Sequence, residues 1–141
     1  MNKSPNPGLG LGILRIVLGI VFVAHGWGKL FGGIGDTAGF LASLGIPLPT
    51  LAAWGIALLE TGGGALLLLG LFVTPVAGLL VLHMVTGIFL VHLPNGFFVI
   101  GAGSGGWEFN FVLAAALLAL IMAGPGSWAL QDRLQKDVLT A

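Results

Sequence analysis

Four long apolar segments constrain the fold of this chain more than any other feature. They cover residues 9–31, 51–73, 75–92 and 107–123 of the 141 residues. The hydrocarbon core of a bilayer is about 30 Å thick, and a helix of about 20 apolar residues crosses it. The segments lack the alternation of polar and apolar residues that strands of a membrane barrel show, so helices are predicted. The sequence therefore predicts an all-α membrane protein, a bundle of four transmembrane helices that forms a single domain over residues 1–141.

Composition supports this class and excludes several others. Hydrophobic residues make up 57% of the chain and charged residues 7%, whereas soluble domains carry about 25% charged residues. The lipid bilayer is thus the first predicted partner, and a net charge of zero without a basic patch argues against nucleic acid. Cysteine is absent, which excludes disulfides and thiolate metal sites on this polypeptide. A redox role would require a bound cofactor or a partner subunit.

The connections between the segments predict the topology. The link at residues 70–75 is short, so the second and third segments form an antiparallel hairpin. The long connections, 32–50 and 93–106, then lie together on one side of the membrane. Lys3, Arg133 and Lys136 flank the two ends of the chain, against Lys29 alone beside the long connections. Because positive residues favour the cytoplasmic side, both termini are predicted to be cytoplasmic.

Glycine recurs every seven residues along the first segment, at Gly12, Gly19, Gly26 and Gly33. Small residues at such spacing let membrane helices approach closely, where packing rather than water drives their association. The three glycines at residues 62–64 offer a similar surface on the second segment. The pattern predicts a tightly packed bundle.

Glu60 is the only charged residue of the second segment and lies near its middle. Insertion scales put the cost of a charge at that depth at roughly 2.5–3.5 kcal/mol, so such a residue is a functional candidate by default. His83 lies at a matching depth on the adjacent antiparallel helix and could share a proton with Glu60. Arg15 could reach Glu60 by extending its long side chain inward. We predict Glu60, His83 and Arg15 as catalytic, proton-relaying residues; the alternative is an ion pair that fixes helix register.

A second polar group lies toward the long connections and consists of His25, Lys29, His92 and Glu108. His25 and Lys29 are four residues apart and share a helix face. These four residues are predicted to bind a cofactor, for which a quinone head group is the candidate. An anion bound by Lys29, or anchoring of helix ends at the membrane interface, are the alternatives. No spacing of the H-x-x-E-H type is present, so no metal site is predicted.

Several sequence strings resemble the DoxX family of small bacterial membrane proteins. They are RIVLG at residues 15–19, HGWGKLFG at 25–32, LETGGG at 59–64, NGFF at 95–98, GWE at 106–108 and GPGS at 124–127. The resemblance implies a four-helix membrane bundle, located as a multi-pass protein in the bacterial inner membrane. It also implies relatives that include a subunit of a thiosulfate:quinone oxidoreductase and a component of a membrane-associated oxidoreductase complex.

Two functional hypotheses follow from these observations. The first is an integral subunit of a membrane oxidoreductase, associated with other membrane or peripheral subunits, that transfers electrons and protons with a quinone. The second is a non-catalytic subunit that assembles or stabilises a larger respiratory or electron-transfer complex. A carrier of small solutes is disfavoured, because the sequence shows no discontinuous helix beyond the glycine run.

Overall fold

Helices account for most of the described residues, since a helix satisfies its own backbone hydrogen bonds where water is absent. The computed structural model describes residues 6–100 and 105–140. In this part of the chain no strand is present, and the α-helices are α1 (Pro7–Gly28), α2 (Ile34–Ser43), α3 (Pro49–Leu69), α4 (Val73–Gly87), α5 (Glu108–Ala123) and α6 (Leu130–Thr140). Two π-helical turns, Lys29–Gly33 and Ile88–His92, extend α1 and α4, and a 3₁₀ turn, Leu93–Asn95, follows the second. The predicted all-α membrane bundle is confirmed.

Among the described residues, three helical runs are long and apolar enough to cross a membrane. They are Pro7–Ser43, Pro49–Leu69 and Val73–Asn95, of 37, 21 and 23 residues. Helix α5 has 16 residues, or about 24 Å at 1.5 Å per residue, which is less than the thickness of the hydrocarbon core. The fourth crossing therefore stays a prediction.

The predicted connection 32–50 contains a helix that sequence analysis missed. Helix α1 passes through the π-helical turn into α2, and the backbone of Gly33 departs from helical geometry between them, with φ −144° and ψ 17°. Helix α2 packs against α3, which it joins through a short turn at residues 44–48. This segment thus folds against α3 as a helix and is not an extended loop.

Glycines set the register between the antiparallel helices α1 and α3. A Cβ at Gly19 would lie 2.8 Å from the Gly64 carbonyl oxygen, and one at Gly26 would lie 2.9 Å from that of Ala57. A step of seven residues toward the C-terminus of α1 is thus matched by a step of seven residues toward the N-terminus of α3. Gly33 has no such neighbour beyond its own helical segment, so three of the four heptad glycines serve close packing.

The closing segment, residues 124–131, ties the end of the chain to the membrane helices. Ser127 N–H donates to the Gly8 carbonyl at 2.7 Å, and Gln131 N–H donates to the Gly70 carbonyl at 3.1 Å. The start of α1, the α3–α4 turn and the start of α6 therefore share one end of the bundle, which we call the terminal side. Helix α2 and residues 93–100 and 105–107 lie at the opposite end, the α2 side.

The apolar core occupies the middle of the bundle and its terminal half. Four helices contribute buried side chains to it, namely Leu18, Phe22, Leu67, Val73, Val76, Ala77, Leu80, Met84, Leu113, Ala114, Leu117 and Leu120. This packing fills the space between the helices toward the terminal side, so any cavity among the polar residues must lie on the α2 side of it.

Candidate functional site

Glu60 is the centre of the polar site. Its side chain is buried, and its two carboxylate oxygens bind different partners. Lys29 Nζ donates to Oε2 at 2.5 Å, and His83 Nε2 lies 2.9 Å from Oε1. Three helical segments thus meet through one carboxylate, an arrangement that we call the central triad. Glu60 and His83 lie close together, as predicted. Lys29 supplies the positive charge beside the other carboxylate oxygen.

Arg15 does not join the central triad, and its predicted approach to Glu60 is wrong. Its guanidinium donates four hydrogen bonds to backbone carbonyls on the terminal side, with partners Leu67 at 2.5 Å, Leu68 at 3.0 Å, Pro125 at 2.8 Å and Ser127 at 3.0 Å. The helix register gives the reason, because it places Arg15 opposite Leu68, two turns away from Glu60. A fully buried cation at the carboxyl end of α3 also meets the negative end of the helix dipole. Arg15 is therefore a structural clamp.

Lys29 reaches Glu60 because of the same register. Gly26 packs beside Ala57, about one turn before Glu60, and beside Thr61, the residue after it. Lys29 lies only three residues beyond Gly26, in the first position of the π-helical turn, and its flexible side chain extends back toward the bundle centre. π-Helical turns are rare and often occur at functional sites. Both such turns in the described part of the chain carry residues of the site, Lys29 on the first and His92 on the second.

A cavity of about 420 Å³ adjoins the central triad on its α2 side. It lies within the size range of small-molecule sites. Its polar lining groups come from five helical segments and comprise His25, Lys29, Thr37, Glu60, His83, His92 and Asn110. Apolar walls are provided by Val21, Phe22, Phe40, Leu41, Ile56, Met84, Val91, Phe109 and Leu113. Members of both polar groups that the sequence suggested, though not Arg15 or Glu108, thus line one site.

Three of the four predicted cofactor-binding residues line this cavity, namely His25, Lys29 and His92. Glu108 does not. Its carboxylate accepts a hydrogen bond from Val99 N–H at 2.9 Å and lies in a separate surface groove beside residues 97–100. Because Glu108 is the first residue of α5, this bond holds Val99 to the helix start, and the assignment of Glu108 to the cofactor site is corrected.

The histidines of the cavity are held in defined orientations. His25 Nδ1 lies 2.8 Å from the Val21 carbonyl oxygen, and His92 Nδ1 lies 2.6 Å from that of Gly105. A carbonyl oxygen only accepts hydrogen bonds, so each Nδ1 carries the proton. The remaining nitrogen, Nε2, accepts a hydrogen bond when the ring is neutral and donates one when it is protonated. Each ring therefore offers one nitrogen that can exchange a proton with a ligand.

Several residues that line the cavity were not predicted from the sequence. Asn110, inside the fourth apolar segment, places its amide 3.5 Å from the Met84 carbonyl, and its polarity within that segment was a usable signal. Thr37 and Phe40 come from α2, which was expected to be a loop and so carried no signal. The ring of Phe109 lies 6.0 Å from that of His25 and forms a wall between α1 and α5. Within residues 6–100 and 105–140, no group of three or more His, Cys, Asp or Glu side chains is placed to bind a metal ion.

Comparison with known proteins agrees with this architecture. The chain is 32% identical to the inner membrane protein YphA of Escherichia coli (strain K12) over 123 residues, which cover 86% of this chain and 87% of YphA. It is 30% identical to the inner membrane protein YqjF of the same organism over 128 residues, covering 91% and 94%. A Bacillus subtilis (strain 168) protein with the name "Putative oxidoreductase CatD" is 39% identical over 85 residues, covering 60% of each chain.

No solved structure gives a significant match. The profile of the DoxX family matches residues 10–93, a range that contains the whole central triad together with His25 and His92. This range is more than half of the chain, and it agrees with the two long alignments to inner membrane proteins. The protein belongs to the DoxX family.

Proposed function

We propose that this protein binds the head group of a lipid-soluble quinone in the cavity, as an integral subunit of a bacterial inner-membrane oxidoreductase with both termini in the cytoplasm. The single observation that carries the proposal is the cavity itself. Within a membrane bundle, a cavity with mostly apolar walls is also lined by a buried carboxylate, an ammonium group and three imidazoles. Buried ionisable groups are costly in a membrane, and they commonly mark ligand or proton pathways.

The lining residues fit a quinone ring in both of its redox forms. The oxidised ring presents two carbonyl oxygens, which Lys29 or a protonated histidine binds by donating a hydrogen bond. The reduced ring presents two hydroxyl groups, and each can donate a hydrogen bond to Nε2 of His25 or His92 when that imidazole is neutral. Flat apolar walls, among them Phe40 and Phe109, suit the faces of the ring, since aromatic rings favour offset or edge-to-face packing.

The central triad suits proton exchange with such a ligand. Reduction of a quinone takes up two electrons and two protons, and in this proposal the electrons come from a partner subunit. Glu60 is shared between Lys29 and His83 through both of its oxygens, so a proton can move between carboxylate and imidazole without leaving an isolated buried charge. The name of the Bacillus subtilis relative, with its mention of an oxidoreductase, supports the same class of function.

Direct binding tests the proposal. The purified protein in mild detergent is titrated with a short-chain ubiquinone and a short-chain menaquinone, and binding is followed by calorimetry. His25→Ala removes a lining group whose only hydrogen bond among the described residues goes to its own helix, and we expect about tenfold weaker binding from the loss of one ligand hydrogen bond. Leu58→Ala is the control, because Leu58 is exposed on α3 and does not line the cavity.

A second candidate function, assembly of a larger complex, is favoured by one observation. The carboxylate, ammonium and imidazole of the central triad already satisfy one another, as they would in a network that only fixes helix register. Under this hypothesis no quinone binds to the isolated protein, and Glu60→Gln releases a partner subunit that copurifies with the wild type. The titration above therefore separates the two functions.

A further inference from the structure

Helix α6 differs in character from the membrane helices. Its eleven residues include four charged ones, Asp132, Arg133, Lys136 and Asp137, whose charges sum to zero. Leu130, Leu134 and Val138 recur every four residues and therefore form one apolar stripe along the helix. Leu134 and Val138 are 58% and 78% exposed, so the described part of the protein does not cover this stripe.

The start of α6 is fixed at the edge of the membrane. Gln131 donates its N–H to the Gly70 carbonyl at 3.1 Å, and its side-chain oxygen accepts the N–H of Val73 at the same distance. Gly70 ends α3 and Val73 begins α4. Ala129 is buried against Gly70, so the connection leaves no gap. Two membrane-crossing helices thus determine the depth of α6.

The anchored residue also determines which way the apolar stripe faces. Successive residues of an α-helix are about 100° apart, so Val138 lies about 20° and Leu134 about 60° from Gln131 around the axis. Asp132 and Lys136 lie about 100° and 140° from it. The side of α6 that contacts the helix ends therefore carries Leu134 and Val138 of the apolar stripe. Leu130 lies about 100° away, at the edge of this side, and the charged residues lie about 100° or more from Gln131.

We propose that α6 is an interfacial helix that lies on the bilayer at the terminal side, with Leu134 and Val138 inserted among the lipid chains. The occupant of the stripe is the membrane itself, because the stripe begins at the ends of two membrane helices and faces in their direction. Trp128, 55% exposed just before α6, is a residue type enriched at that boundary. Since the helix has no net charge, apolar burial rather than attraction to anionic lipid drives the contact.

This contact has a structural consequence on the terminal side. The segment before α6 carries the Pro125 and Ser127 carbonyls that hold Arg15. A membrane-bound α6 fixes the far end of that segment, so it helps to keep the Arg15 clamp closed. The inference does not depend on the proposed binding of a quinone.

The test uses the full-length protein in liposomes of phosphatidylcholine. The chain contains no cysteine, so Leu134→Cys and Lys136→Cys each provide a single site for a fluorescent label. We expect lipids with a nitroxide on the acyl chain to quench the label at position 134 about threefold more strongly than the label at position 136, with the reverse order for aqueous iodide. Val138→Cys should behave like Leu134→Cys, which guards against a local effect of one substitution.

Three outcomes would overturn the inference. The first is equal quenching at positions 134, 136 and 138 by either quencher. The second is protection of position 134 from both quenchers, which would indicate a protein surface, such as a second copy of the chain, over the stripe. The third is lipid quenching that appears only after anionic phosphatidylglycerol is added, because an electrostatic contact would then replace the apolar one.

Discussion

Removal of the Lys29 charge is the most direct test of the central triad. Lys29→Met keeps the length of the side chain but leaves Glu60 with His83 as its remaining partner. Breaking a buried ion pair costs about 3–5 kcal/mol when one charge is left uncompensated. The Lys29 side chain is 26% exposed and Glu60 keeps its bond to His83, so we expect a smaller loss, about 2–3 kcal/mol in the free energy of unfolding.

Glu60→Gln and the double variant complete a thermodynamic cycle. Glu60→Gln leaves a lysine that can turn toward the α2 side, so we expect it to cost only about 1 kcal/mol. The double variant contains neither charge and should be about as stable as Glu60→Gln alone. The coupling between the two positions is then about 2–3 kcal/mol, within the range measured for contacting residues.

Thermal unfolding in mild detergent measures these differences. A chain of this size loses roughly 3 °C of Tm per kcal/mol, so Lys29→Met should unfold about 6–9 °C below the wild type. Leu58→Ala, on the same helix as Glu60 but exposed, provides the baseline for a change outside the site. If the double variant loses as much stability as the two single variants together, the ion pair between Lys29 and Glu60 is not a stabilising contact.

Three other changes test the remaining parts of the structure. Gly26→Ala places a methyl group 2.5 Å from the Thr61 backbone nitrogen and should lower the stability by about 1–3 kcal/mol. Gly62→Ala meets nothing within 4 Å and should not lower Tm, because alanine favours a helix over glycine. Equal Tm values for the two variants would contradict the register of α1 and α3. Arg15→Leu removes the four hydrogen bonds that the guanidinium donates to the carbonyls of the clamp and should cost at least about 3 kcal/mol in an unfolding titration. Wild-type stability of this variant would show that the clamp is dispensable. His25→Cys should react with a membrane-impermeant thiol reagent from the α2 side only, and reaction in inverted vesicles but not in intact spheroplasts would reverse the predicted orientation.

The proposed function joins two polar groups that the sequence presented as separate. His83 and Glu60 appeared to be a relay in the middle of the membrane, and His25, Lys29 and His92 appeared to be a cluster above it. One cavity lined by all five residues brings the ligand-binding groups and the proton-sharing groups within reach of the same small molecule. The shared cavity favours ligand binding coupled to proton exchange over two independent sites.

The sequence by itself determined the environment of the protein and the depth of its central residue. Long apolar segments leave no other stable arrangement than membrane helices, because every backbone group must find a partner without water. Glu60 and His83 could be paired by counting residues from a short hairpin, since both positions are measured from the same turn. The heptad glycines also predicted close packing, and Gly12, Gly19 and Gly26 each have neighbours too near for a larger side chain.

Only the tertiary structure decided which cation meets Glu60. With the centres of the two helices aligned, Arg15 and Lys29 lie at similar distances from Glu60, and Arg15 was the predicted partner. The contacts of Gly19 with Gly64 and of Gly26 with Ala57 change that alignment by only one residue. The folded chain brings the carbonyls of Leu67, Leu68, Pro125 and Ser127 to Arg15 on the terminal side, and Lys29 meets Glu60 instead. Helix α2 and the position of Glu108 also depended on contacts between distant segments. A residue's partner in a membrane bundle thus depends on which groups the packed segments bring beside it, a property that no single segment contains.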